Sequence, residues 1–169
     1  MQNIIESRQK VEEFFTSNFN RKQKIALVGI GNQDRQDDFV GVFIIQTLQQ
    51  LGLEKENLLL VEAGDAPSNF ISEIHDWQPD CVIMVDAVDA KTSPGTLLII
   101  QKEQLHSHSV DSHSNAKILL LDFLLGLIPH LQIVILGIQV QDITFGQDLS
   151  KEVRASAEWL AEYLYNVLH

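Results

Sequence analysis

A single cysteine, Cys81, stands in a chain of 169 residues, so no intramolecular disulfide can form and a disulfide scaffold is excluded. Cys81 opens the apolar run Cys81-Val-Ile-Met-Val85 and is expected to be a buried, inert thiol. Basic residues are also scarce: 12 Lys and Arg against 23 Asp and Glu leave a net charge of −11. Such a balance repels polyphosphates and offers no basic stripe, which argues against nucleic acid as a partner. Long hydrophobic runs are missing too. The longest, around Ile118 to Ile128, carries Asp122 and falls well short of the ~20 apolar residues a membrane span requires. The first twenty residues interleave Glu6, Arg8, Lys10, Glu12 and Glu13 with apolar ones and so lack the apolar core of a signal peptide. The expectation is a cytoplasmic protein, with a monomer favoured.

Several signature motifs are absent as well. The chain holds no Gly-x-Ser-x-Gly elbow, no Cys-x-x-Cys, no His-Glu-x-x-His and no P-loop. Asp111, Ser112 and His113 adjoin in sequence, but members of a triad meet in space rather than along the chain.

What is present is an alternation of apolar runs and amphipathic stretches. Strands are expected at 24–30, 57–62, 80–86, 95–101 and 131–138, and helices at 4–17, 38–51, 67–77, 115–127 and 150–168. Continuous apolar strands separated by helices imply a mostly parallel, five-stranded twisted sheet covered on both faces, a three-layer α/β/α architecture. The gap between Asp86 and Gly95 is too short for a crossover helix, which places the 95–101 strand antiparallel at or near an edge. Residues 1–23 read as a helical extension and 24–169 as one α/β domain. The polar segment Lys102 to Asn115, rich in His and Ser, has the length at which loops are usually functional or disordered.

In an open α/β sheet, ligands bind beyond the carboxyl ends of the strands. Three polar segments fall there: Gly29 to Asp38, Asp86 to Asp89, and Ser112-His113-Ser114. The first resembles a dinucleotide fingerprint only partly, because position 34 is aspartate and Asp37 and Asp38 put negative charge where a pyrophosphate would bind. One of the two aspartates is expected as an N-cap, a role that suffices for Asp37. Asp86 follows an apolar strand, where a carboxylate is costly to bury; a hydrogen-bonded turn is the plainer role for it. His113 precedes a helix that can position it. Asp38, Asp86 and His113 together make an open site suited to zinc or nickel.

These residues resemble a known family. Gly29-Ile-Gly-Asn32, Asp37-Asp38 with Gly41, Glu62-Ala-Gly-Asp-Ala-Pro67 with Asn69, Pro79-Asp80, Val85-Asp-Ala-Val-Asp89, Pro94-Gly95, Ser112-His113, Gly137-Ile-Gln139, Gly146 and Leu149-Ser150 are similar, in order, to the motifs of the hydrogenase maturation proteases. The resemblance spans residues 24 to 160 and implies a flavodoxin-like, phosphorylase/hydrolase-like sheet. It further implies an endopeptidase that removes the C-terminal extension of a [NiFe]-hydrogenase large-subunit precursor after nickel insertion. In that family the corresponding residues, here Asp38, Asp86 and His113, gather around a metal. The resemblance implies that the nickel is supplied by the substrate, with another divalent metal such as zinc or cadmium as an expected occupant in vitro. Two features depart from the pattern: Ser-Asn-Ala follows His113 where relatives often carry a proline, and a helix precedes the first strand. Gly29, Gly31 and Gly64 are expected to allow close turns beneath the site, and Glu62 and Asp89 to support its ligands. The rival from another class is a non-catalytic chaperone that senses nickel-loaded protein, and a third is a flavin- or nucleotide-binding protein.

Overall fold

The computed structural model describes residues 2–101 and 114–169. Helix α1 (Gln2–Asn18) leads into β1 (Ile25–Ile30), a 3-10 turn (Gln36–Phe39) and α2 (Val40–Gln50). Strand β2 (Leu58–Gly64), a second 3-10 turn (Pro67–Phe70) and α3 (Ile71–Trp77) follow. Then come β3 (Cys81–Val88), β4 (Leu97–Gln101), α4 (Ser114–Leu127), β5 (Gln132–Gln139) and α5 (Lys151–Leu168). The five strands lie in the order β2-β1-β3-β5-β4; all pairs are parallel except β4 with β5. The antiparallel edge strand agrees with the short connection after Asp86.

Both faces of the sheet are buried, which explains why its strands read as apolar throughout. Alternate residues serve opposite layers, as the pleat requires. Ile25, Leu27, Cys81, Ile83, Val85, Val134 and Leu136 pack in one cluster with α1, α2 and α5. Ala26, Val28, Val82, Met84, Ile133 and Ile135 pack in the other, beneath α3 and α4. Helix α1 joins the first layer through Val11, Phe14 and Phe15, and it also lies against β4, where Leu97 N donates to Ser7 Oγ at 3.1 Å.

Cys81 is fully buried. Burial, reinforced by the nearby negative charge of Asp80, pushes its thiol up to about 12 from an ordinary value of 9.0. A raised acid pKa in the folded state means that this group supports folding at neutral pH. That contribution is lost as pH climbs from 9.0 toward 12. The expected result of thiol labelling at pH 8 is therefore a rate set by unfolding: no reaction with the native protein and complete reaction in denaturant. Fast stoichiometric labelling of the native state would contradict the burial.

Candidate active site

The direction of chain progression reverses between β1 and β3: β2 lies on one side of β1, while β5 and β4 lie beyond β3. A crevice opens at such a switch point, beyond the carboxyl ends of the two strands. Pairing of β1 with β3 ends at Gly29 and Val85, whereas pairing of β3 with β5 continues through Val88 and Gln139. Asp86 is thus the first residue of β3 past its contact with β1. It does not end the strand, as the sequence suggested; β5 carries β3 two residues further. Asp86 is 2% exposed, and strand alternation directs it with Val82 and Met84 toward the layer of α3 and α4.

Asp38 stands at the carboxyl end of β1, on the 3-10 turn that follows that strand. Its 3-10 turn contacts β3, and its carboxylate Oδ2 accepts from Asn32 N at 3.1 Å. The approach depends on glycine. A Cβ on Gly31, whose φ is +144°, would lie 1.7 Å from Asp38 O; a Cβ on Gly41 would lie 2.1 Å from Val85 O and 2.3 Å from Ile30 O. Gly29 faces Gly41 O in the same way, at 2.4 Å, and Gly64 has φ +61°. Bare backbone at Gly31 and Gly41 lets the turn bearing Asp38 and the start of α2 settle directly on the ends of β1 and β3.

Neither Asp37 nor Asp38 caps a helix. The caps of the 3-10 turn and of α2 are Arg35 and Phe39, and neither makes a side-chain capping bond. Asp37 instead turns inward and is fully buried. Its Oδ2 accepts from Gln141 N (2.8 Å), Asp142 N (2.9 Å) and Ser150 Oγ (2.7 Å), and its Oδ1 from Ser150 N (2.6 Å). Four donors from the β5–α5 connection offset the cost of burying a carboxylate and clamp the turn that presents Asp38. In the sequence Gly146, Leu149 and Ser150 stood out only as motif positions without a role, and Gln141 and Asp142 did not stand out.

The same connection is stitched to the β1 loop elsewhere. Gln36 N donates to Gly146 O (2.9 Å), Gly146 N to Asp34 O (3.0 Å) and Gln36 Nε2 to Thr144 Oγ1 (3.0 Å). Donation from Thr144 backbone and hydroxyl holds the Asp142 carboxyl below its ordinary range. Buried Gln139 anchors the β3–β4 loop by accepting from Ala90 N at 2.8 Å and donating to Asp89 Oδ1 at 3.3 Å. Asp89 pairs with Lys91 and Gln139, which lower its pKa, so its charge serves this loop.

Beside the crevice, above β1 and β2, a cleft of ≈ 360 Å³ is lined in part by Asn32, Phe39, Glu62 and Asp65. Asn32 Nδ2 donates to Asp65 Oδ2 (3.3 Å) and exposed Glu62 accepts from Gln46 Nε2 (3.1 Å). His113 lies outside the described residues. Helix α4 begins at Ser114, directly after it, and runs back to feed β5, so its first turn stands toward the carboxyl ends of the parallel strands. Among the described residues, no three His, Cys, Asp or Glu side chains form a metal-binding group. Asp38 and Asp86 supply hard oxygen donors and would need a further ligand from outside that set.

A doubly wound sheet with carboxylates at its switch point defines a flavodoxin-like three-layer protein. The hydrogenase maturation protease model matches residues 42–167, and the chain belongs to that family, whose members are peptide hydrolases. A Methanocaldococcus jannaschii protein provisionally described as a hydrogenase maturation protease is 27% identical over 164 residues, 94% of this chain and 96% of that one. The hydrogenase 3 maturation protease of Escherichia coli K12 is 25% identical, covering 82% of this chain and 86% of its own. Among solved structures, the [NiFe] hydrogenase maturation protease HycI from Thermococcus kodakarensis superposes with a TM-score of 0.82 at 25% identity, over 94% of this chain and 98% of that one. Membership in a protease family favours the enzyme over the non-catalytic chaperone. Among the described residues no helix is long and apolar enough to cross a membrane.

Proposed function

We propose that this endopeptidase cleaves the C-terminal extension from a [NiFe]-hydrogenase large-subunit precursor in the cytoplasm, after nickel has been inserted. In this reading Asp38, Asp86 and His113 engage the nickel carried by the substrate. The observation that carries it is the placement of Asp38, in the 3-10 turn that follows β1 and contacts β3, and of Asp86, in β3 just past its pairing with β1, at the carboxyl ends of the two strands that flank the switch point. The burial of Asp86 adds support, since a carboxylate withdrawn from water gains most from an approaching cation. His113 enters on its motif and on its place directly before α4.

The nickel is part of the substrate here, and it identifies a precursor ready to be cut. A bound divalent ion polarises a neighbouring carbonyl and lowers the pKa of its water. The protein's own contribution is to hold Asp38 rigidly through Asn32 and, behind it, the Asp37 clamp.

The test is mass spectrometry of the large-subunit precursor from the same organism, nickel-loaded and nickel-free, before and after incubation with the protein. Loss of a C-terminal peptide from the loaded form alone is expected. An unchanged mass in the loaded form, with the precursor nonetheless bound, would restore the chaperone reading.

A further inference from the structure

Phe145 is 80% exposed and Ile143 40% exposed, both on the β5–α5 connection. Large apolar side chains in water need no explanation when they are scattered singly. These two stand on a segment that is unusually well tied down. Gly146, next to Phe145, bridges to Arg35 and exchanges backbone hydrogen bonds with Asp34 and Gln36; Thr144, on its other side, accepts from the Gln36 side chain. The buried Asp37 carboxylate fixes residues 141 and 142. The Arg35 guanidinium lies over the Phe145 ring, 5.1 Å from its centroid. An exposed aromatic ring on a preorganised backbone, with an arginine stacked on it, has the composition of a binding hot spot and little ordering entropy left to lose.

The position of this ridge names its occupant. Asp38 N donates to Arg35 O at 3.0 Å, so Arg35 and Asp38 are the two ends of one 3-10 turn. Three residues of such a turn rise about 6 Å. Arg35, with Phe145 stacked against it, therefore stands within reach of a polypeptide whose scissile peptide lies at Asp38.

We infer that Phe145, Ile143 and the Arg35 guanidinium form the surface on which an apolar segment of the large-subunit precursor docks. This rests on the function proposed above and adds a specificity-determining contact to it. Phe145 touches the precursor away from the reacting atoms, so its removal weakens binding and spares the chemical step.

The experiment measures equilibrium binding of the nickel-loaded precursor to immobilised wild type, Phe145→Ala, Phe145→Tyr and Leu51→Ala, with mass spectrometry of the recovered precursor. Leu51, exposed at the far end of α2, controls for the loss of a surface apolar group. Phe145→Ala is expected to raise Kd about tenfold or more. Cleavage at saturating precursor is expected to stay near the wild-type rate. Phe145→Tyr should recover most of the affinity, and Leu51→Ala should behave as wild type. Wild-type affinity in Phe145→Ala overturns the docking surface while cleavage by the wild type leaves the proposed function standing. Binding without cleavage by the wild type, lost in Phe145→Ala, supports the surface and overturns the protease assignment. No binding to the wild type overturns the surface, and cleavage in the same sample then decides the function separately.

Discussion

Asp38→Asn is expected to stop precursor processing while leaving the fold intact. The amide oxygen still accepts from Asn32 N, as the carboxylate does now at 3.1 Å, and the substituted side chain has the same shape. The negative charge is lost, and with it the attraction for a cation and the capacity to accept a proton. Loss of a group acting directly on the reaction typically costs 10²- to 10⁴-fold, so a fall in that range is expected when cleavage is followed by mass spectrometry. Thermal unfolding should shift little, because one half-exposed hydrogen bond contributes about 1 kcal/mol at most. Processing at the wild-type rate in Asp38→Asn would remove this carboxylate from the active site.

The neighbouring aspartate is expected to fail in a different way. Asp37→Ala leaves four donors, Gln141 N, Asp142 N, Ser150 N and Ser150 Oγ, facing a void. Breaking a buried charged network typically costs about 3–5 kcal/mol. For a chain of this length, at roughly 2–4 °C per kcal/mol, Tm should fall by about 10 °C. Asp37→Asn should recover part of that loss, since the amide keeps one acceptor and turns its NH₂ toward a donor. Calorimetry of the two variants decides the matter; a melting temperature within a degree of wild type for Asp37→Ala would mean the clamp is dispensable. The adjacent pair Asp37-Asp38 thus divides its labour, one side chain anchoring the turn and the other left half-exposed at the end of β1, where it accepts from Asn32 N.

That division was not legible in the sequence. Two consecutive aspartates before a helix look alike as caps, and the partners of Asp37 lie more than a hundred residues away, at 141, 142 and 150. Long-range backbone donors leave no local pattern. The fold was far more readable, because strands buried on both faces must be apolar throughout and their spacing excludes a crossover between β3 and β4. Asp86 could be picked out for a related reason: it is the charged residue that interrupts an apolar strand. The extra length of β3 could not, because it depends on where pairing with β5 ends rather than on any residue in β3 itself. Arg35 and Phe145 were equally hidden, since their stacking joins two loops that sequence treats as unrelated.

The contact between α1 and β4 bears on how molecules of this protein behave when crowded. An antiparallel strand at the rim of a sheet turns every second residue's backbone outward, ready to template a further strand from another chain. At Leu97 that outward N–H is taken by Ser7 of α1, the helix that lies against β4. The leading helix is therefore more than a piece of the core: by taking up the Leu97 donor it removes one of the pairing sites that an incoming strand would need at this rim.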